Sequence, residues 1–422
     1  GGTPTAAELD TAVADRPVFL PNRDHHGAWV NTRALQLAGI GEATADPAHG
    51  RIERDRHGKP TGTLHEAAMD LVSGLIPATT EVEMYAALMA AQRYLHSVGV
   101  TAWQDAIVGN YGGIDDPGPT YLRAAQRGEL SASVSGALWW DRDTDGTQAE
   151  SLVERRAALS SGRFRVATVK IMQDGVAENF TAAMTDPYLD RCGHATGNRG
   201  HSFVAPAALR DCVRLLDEHG FQLHFHAIGD RAVREALDAL EGTRREHRHH
   251  IAHVQVVDPD DVPRFAAHGI AANLQMLWAT MDAQMVELTL PFLGAERSRW
   301  QYPFAALERA GARLVAGSDW PVSSPDPLLA MHVGVNRVGF GESTPPLLPD
   351  QALSLESAFA AYTSGSAWIT HRDDAGVVRA GAIADLVTLD RDPFALPTDE
   401  IGGVRATSCW IDGDPVFESG LG

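Results

Sequence analysis

Cysteine is scarce: Cys192, Cys212 and Cys409 are the only three in 422 residues, far apart and odd in number. That excludes a disulfide framework and a thiolate zinc knuckle, and it fits a reducing compartment, so the expected location is cytoplasmic. No run of about 18 apolar residues occurs, which excludes a transmembrane helix. A basic face is missing as well, since 35 Lys and Arg stand against 55 Asp and Glu, a formal net charge of −20. Nucleic acid and anionic membranes are therefore not expected partners, because both need positive charge. The chain opens on Gly1 with no charged-then-apolar leader, the pattern of a processed or mid-gene start, and an export signal further upstream stays open. With 44% hydrophobic and 21% charged residues, the composition is globular rather than disordered, collagenous or coiled-coil.

Histidine, by contrast, is plentiful, with 18 residues. A metal site built without cysteine must use imidazole, carboxylate or a modified side chain. The chain also alternates short β-branched or apolar runs with helix-period segments. Residues 221–228 read as a strand. The helix behind them carries Val233, Leu237 and Leu240 on one face, with Asp230 at the N-cap position and Gly242 at the stop. Residues 250–255 form the next strand, and Asp258-Pro259 opens a helix that ends at His268-Gly269. Strands at 270–276 and 313–316 come next, the second after a short helix at 303–310. Upstream, 100–105, 131–140 and 167–172 are strands of the same kind. This alternation predicts a parallel sheet with crossover helices. Seven strands are one short of a closed (β/α)8 barrel. No Gly-rich dinucleotide fingerprint follows any of them, so a TIM-type α/β barrel missing one strand fits better than a doubly wound sheet.

Two flanks lie outside the alternation. Residues 1–85 carry one apolar strand at 17–20, then mixed helix and a charged turn region at 51–58, too long a stretch for a loop. The barrel proper spans 86–370. From 371 to 422 the chain reads as short strands with turns, Asp412-Gly413 joining two of them in a small β appendage.

Catalytic groups of such a barrel stand where its strands end. Lys170, His226, His253 and Asp319 occupy corresponding ends of four strands. Two imidazoles, a carboxylate and a lysine are what a hydrolytic metal centre uses. A buried ammonium is costly, but the lysine makes sense if its amine has added CO₂ to become an anionic carbamate ligand. Each residue alone has a plainer reading: hydrogen-bonded core histidines, Lys170 paired with Asp174, Asp319 as the N-cap of the next element. Four such coincidences at four matching strand ends make the plain readings poor jointly. His224 shares the face of His226. The cluster at 244–250, with His247, His249 and His250, precedes a strand at the opposite end and reads as a solvated helix end.

The run His226-Ala227-Ile228-Gly229-Asp230-Arg231-Ala232, Lys170 with Asp174-Gly175, Ala252-His253-Val254-Gln255 and Gly317-Ser318-Asp319-Trp320-Pro321-Val322 resemble the amidohydrolase superfamily. So does the tail at 381–390. Asp24-His25-His26-Gly27-Ala28-Trp29-Val30-Asn31 and Pro60-Thr61-Gly62-Thr63-Leu64-His65-Glu66 are similar to hallmarks of its amidohydrolase 3 group, YtcJ-like and akin to N-substituted formamide deformylases. His25 replaces a usual glycine. The His-x-His pair that ends that family's first barrel strand has no counterpart here, since His224-Phe225-His226 belongs to a later strand. The resemblance therefore implies a TIM-type (β/α)8 barrel without its first strand, in a chain lacking its parent's N-terminal third. It also implies a small β-sandwich appendage, and residues 1–85 as an inserted lid or substrate wall.

The same resemblance implies one or two divalent cations, zinc by preference. Lys170 would be N-carboxylated and bridging, His226 and His253 would hold one cation, and Asp319 would touch the other. Hydroxide held there, with Asp319 carrying its proton, would hydrolyse an amide-type C–N bond of an N-acyl or N-formyl amide. His26, Trp29 and Glu66 become candidate substrate-wall residues, and His224 and Trp320 candidate substrate neighbours beside the ligands. Apolar wall residues suggest an uncharged portion of substrate. Rival readings are a lactone, ester or phosphoester hydrolase on the same scaffold, and an inactive barrel used for binding; Lys170 argues against a mononuclear deaminase. The expected partner is a small-molecule substrate, with a homodimer left open.

Overall fold

The computed structural model describes residues 3–420. The first eighty residues build an antiparallel sheet of β1 (Phe19–Pro21), β2 (Gly27–Val30), β3 (Gly50–Arg54) and β4 (Pro60–Glu66), in the order β1-β2-β4-β3. It has its own core, in which Ala28, Val30 and Leu64 meet Leu35, Met69 and Val72. Sequence reading finds only the first of these strands. β2 is only four residues long, and β3 and β4 interleave Arg51, Glu53, Pro60 and Gly62 with their apolar positions, so no clear period of two or apolar run stands out in them.

The centre is a seven-stranded parallel sheet: β5 (Ala102–Val108), β6 (Ser133–Trp139), β7 (Phe164–Met172), β8 (Gln222–Ala227), β9 (His250–His253), β10 (Ala271–Leu274) and β11 (Leu314–Ala316), ordered as in the sequence. All seven lie where the alternation predicts them. The sheet curls strongly. Gln104 on β5 donates to Thr168 on β7 and to Gln222 on β8, both at 3.3 Å, although β5 and β8 would stand about 14 Å apart in a flat sheet. Side chains from distant strands therefore meet in a barrel interior. Among the described residues, neither the outer edge of β5 nor that of β11 pairs with another strand.

Crossover helices cover the outside. The helix Asp230–Leu240 buries Val233, Ala236, Leu237 and Leu240, the face its spacing predicts. Its N-cap is Gly229, not Asp230, because the chain leaving β8 passes so close to the Ala183 carbonyl that a Cβ at 229 would collide with it. The Asp230 carboxylate instead accepts the N–H groups of Thr185 and Arg231. The helix Val262–His268 ends at Gly269 in the left-handed region (φ 72°), as expected, but starts later than Asp258-Pro259. At the C-terminus β12 (Leu386–Leu389), β13 (Ala406–Ile411) and β14 (Asp414–Glu418) form an antiparallel sheet that packs on the helix Glu81–Ser97. Asp412 and Gly413, both at positive φ, make the tight turn between β13 and β14 that the dipeptide predicts.

Candidate active site

Lys170 and His226 stand near the C-terminal ends of β7 and β8, His253 closes β9, and Asp319 lies three residues beyond β11. Lys170 is 4% exposed, and its Nζ lies 3.1 Å from His224 Nε2 rather than on Asp174. Burial brings its pKa down to about 8, with Asp319 pulling the other way. Asp174 has different work. Its Oδ2 accepts the N–H groups of Gly229 (2.8 Å) and Ala183 (2.9 Å), and its Oδ1 those of Ile228 (3.0 Å) and His226 Nδ1 (3.1 Å). The carboxylate thereby fixes the tautomer of His226 and leaves Nε2 with its lone pair.

The ring of His253 lies 4.5 Å from that of His226 and stacks on Trp278 at 5.1 Å, nearly parallel. Its backbone N–H donates to Gln275 Oε1 at 2.7 Å, while its Nδ1 is buried with no hydrogen-bond partner among the described residues. Burial, the charge of Lys170 and the neighbouring rings hold both imidazoles well below their ordinary pKa, so both are neutral donors. Asp319 is not a helix cap: the next helix begins at Pro327 and is capped by Asp326. Among the described residues nothing hydrogen-bonds the Asp319 carboxylate, whose pKa burial raises against the pull of Lys170. Glu66, His253, Val254 and Asp319 all have positive φ (49°, 76°, 41° and 53°). Backbone held in that region by non-glycine residues is strained, and such strain concentrates at functional sites.

The N-terminal sheet reaches this rim. His26 Nδ1 lies 3.0 and 3.1 Å from the two oxygens of Glu66, Thr181 donates to Glu66 at 2.8 Å, and Asn179 donates to the His26 carbonyl at 3.3 Å. The His26 ring is 5.2 Å from that of His226, so two carboxylate-held imidazoles stand side by side. Burial would lower the His26 pKa, but the Glu66 carboxylate more than reverses it and lifts it to about 9. The remaining candidates are dispersed. Trp29 donates its indole N–H to the Thr5 carbonyl and ties the first helix to the sheet. Trp320 is 38% exposed and leans on Tyr94. His224 lies one layer deeper in the barrel, in register with Lys170 and with His250, whose ring is 4.1 Å away. Sequence reading takes Asp174 as an ion-pair partner and a motif residue, not as the clamp on His226, and passes over Trp278, Gln275 and Thr181. For Asp174 there was a signal, its place four residues past Lys170 at the same strand end.

The segment 244–250 is a solvated helix end only in its first half, where Arg244, Arg245 and Glu246 are exposed about the short helical turn Arg245–His247. His249 and His250 are buried, because β9 begins at His250 and its register sets that residue against His224. Asp217, His247 and His249 offer potential ligand atoms within 4.8 Å of one another at this end. The hydrogen bonds argue against a cation there. His249 Nδ1 accepts the Leu223 N–H at 3.0 Å, so its Nε2 carries the ring proton and donates it to Asp217 at 3.2 Å. Burial works against an ionised Asp217, yet His249 and His247 outweigh it and hold the carboxyl at about 2. A folded pKa below the ordinary value stabilises above about pH 4, and the contribution is lost as pH falls toward 2. Asp217→Asn should therefore cost about 1–2 kcal/mol at neutral pH, the difference shrinking in acid, with metal content unchanged. Urea unfolding at pH 7 and pH 3 checks this, and a loss of bound metal would contradict the assignment.

The amidohydrolase family model matches residues 1–417. The putative amidohydrolase YtcJ of Bacillus subtilis (strain 168) is 29% identical over 418 residues, covering 98% of this chain and 76% of that protein. An N-substituted formamide deformylase of Arthrobacter pascens is 28% identical, covering 97% and 75% respectively. An uncharacterized metal-dependent hydrolase from Pyrococcus furiosus superposes with a TM-score of 0.70 at 26% identity, over 93% of this chain and 75% of that one. No helix among the described residues is long and apolar enough to cross a membrane. The match over nearly its whole length settles the family: the chain belongs to the amidohydrolases.

Proposed function

We propose that this chain is a metal-dependent hydrolase of an amide-type C–N bond, in an N-acyl or N-formyl amide, with one or two divalent cations held by Lys170, His226, His253 and Asp319. The observation that carries the reading is the donor set itself. Asp174 clamps His226 so that one lone pair is free, and beside it the buried Nδ1 of His253 has no partner among the described residues. Neutral imidazoles with a carboxylate suit zinc, so the residues fit the group. When bound, the cation supplies Lewis-acid polarisation of the scissile carbonyl and a water acidified toward neutrality.

The chain's residues do the rest. Lys170, brought down to about 8 by burial, has an unprotonated fraction near neutrality that can add CO₂. The new N–C bond forms as the amine proton departs, and the product is the anionic ligand that a strand lysine otherwise could not be. Asp319, with no hydrogen-bond partner for its carboxylate among the described residues, takes a proton from the attacking water and returns it to the departing nitrogen. His26, held by Glu66, forms the wall nearest His226. His224 steadies the Lys170 amine from below. The similarity to a formamide deformylase supports the amide bond as target.

Zinc-loaded protein assayed on N-formyl amides, N-acyl amides, lactones and phosphotriesters tests the reading. Amide cleavage is expected, and turnover confined to lactones or phosphotriesters would replace it with the rival hydrolase. Lys170→Ala should cut bound metal at least tenfold by elemental analysis, and an unchanged metal content would remove Lys170 from the ligand set.

A further inference from the structure

The long connection from β7 to β8 carries a separate set of donors. Between Tyr188 and Thr196 it folds back on itself: Leu189 bridges Ala195, the Asp190 N–H donates to the His194 carbonyl at 2.8 Å, and the Gly193 N–H donates to the Asp190 carbonyl at 3.0 Å. Gly193 turns the corner at φ 82°, a conformation that a side chain would strain. Asp190 Oδ1 accepts the backbone N–H groups of Cys192 (2.8 Å) and His194 (2.9 Å), which fixes the carboxylate and leaves Oδ2 beside His194 Nδ1, 3.3 Å away. A carboxylate, a thiol and an imidazole thus share one exposed turn, with a ligand atom from each within 4.8 Å of the others. The turn is anchored, because the Leu189 N–H donates to the Phe292 carbonyl at 2.9 Å and the Arg191 guanidinium lies 5.4 Å from the centre of the Phe292 ring.

A plain turn needs only the two bonds to Oδ1, and the remaining geometry differs from a hydrogen bond. An N–H···O contact closes to about 2.9–3.0 Å. Two donors bound at about 2.0–2.1 Å to one tetrahedral zinc stand about 3.3 Å apart. The spacing of His194 Nδ1 and Asp190 Oδ2 has the second value. The contrast with Asp217 is chemical: there the Leu223 N–H fixes the proton of His249 on the carboxylate side, whereas among the described residues no backbone N–H fixes the tautomer of His194. The Asp190 carboxyl is held below its ordinary range, chiefly by the His194 N–H, and is an anion at neutral pH. Cys192 is a free, exposed thiol. We infer that Asp190, Cys192 and His194 form a second cation site, for a divalent ion of borderline softness such as zinc, held by one oxygen, one sulfur and one nitrogen with the fourth position left to water. Thiolate and imidazole together disfavour magnesium and calcium, which take oxygen. On binding, the thiol gives its proton to solvent, so affinity falls as pH drops. The site uses none of the barrel donors and stands independently of the proposed function. Three exposed ligands hold an ion more loosely than a closed set of four, so desalting empties this turn and metal retained in the barrel is counted apart from it.

Cobalt(II), which takes zinc's place and reports its ligands by colour, tests this on the full, reduced chain. A thiolate ligand gives cobalt an intense near-ultraviolet charge-transfer band, and the barrel donors, which include no sulfur, cannot produce it. Titration should raise the band, and excess zinc should displace it. Cys192→Ser should abolish it, and His194→Ala should weaken cobalt binding at least tenfold. No band, a band that zinc leaves in place, or a band that survives Cys192→Ser would overturn the site. A band that His194→Ala leaves at wild-type affinity would overturn the three-ligand set. Alkylation by iodoacetamide needs no variant, because Cys212 and Cys409 are buried and Cys192 alone is exposed. Zinc should slow its modification at least tenfold, and an unchanged rate would refute coordination by the thiolate.

Discussion

Replacing Asp319 by Asn should lower kcat on the amide substrate by about 10²- to 10⁴-fold, the range lost with a general acid–base group. Bound metal should change far less. The asymmetry arises from where the residue sits. Its carboxylate makes no hydrogen bond with any described residue, so the fold loses no partner when one oxygen becomes an amide nitrogen. An amide keeps one oxygen lone pair for a cation but cannot take up the proton of an attacking water. Steady-state kinetics with elemental analysis on the same sample decide the matter. Near-normal kcat would move the proton carrier elsewhere, with the His26–Glu66 pair as the next candidate.

Asp174→Asn should act in the opposite way, through the scaffold. Four donors converge on this buried carboxylate, two on each oxygen. If the amide nitrogen replaces Oδ2, it faces the N–H groups of Ala183 and Gly229; if it replaces Oδ1, it faces those of Ile228 and His226. Either flip leaves two buried donors without an acceptor, at about 1–3 kcal/mol each, so a stability loss of about 3–5 kcal/mol is expected in urea unfolding. The lost hold on His226 should also weaken metal affinity about 10- to 100-fold in a chelator competition. A variant within about 1 kcal/mol of wild type, loading metal normally, would show that the carboxylate does not organise this strand end.

The barrel was legible in the sequence because short runs rich in β-branched and apolar residues alternate regularly with helix-period segments and turn residues. The N-terminal sheet was not, because Arg51 and Glu53 in β3 and Pro60 and Gly62 in β4 interrupt any apolar run. Lys170, His226, His253 and Asp319 were visible as polar residues at equivalent strand ends, an arrangement that repeats with the βα unit. Their surroundings were not. Asp174 meets His226 across 52 residues and Gln275 meets His253 across 22, pairings set by strand register rather than spacing. The burial of His249 and His250 was missed for the same reason: a helix end and a strand start look alike until the neighbouring strand shows which side is filled.

The joining of the N-terminal sheet to the barrel rim bears on how the molecule matures. Asn179 bonds the His26 carbonyl over 153 residues of chain, and Thr181 bonds Glu66 over 115. Contacts of such separation form only after long loops have closed, which makes them late and slow events on a folding path. The proposed metal ligands stand at four separate strand ends, so no short stretch of the chain gathers them as the finished rim does. On the proposed ligand set, acquisition of metal would report completion of the whole architecture, and a nascent or partly unfolded chain would stay empty until its N-terminal sheet had closed over the strand ends.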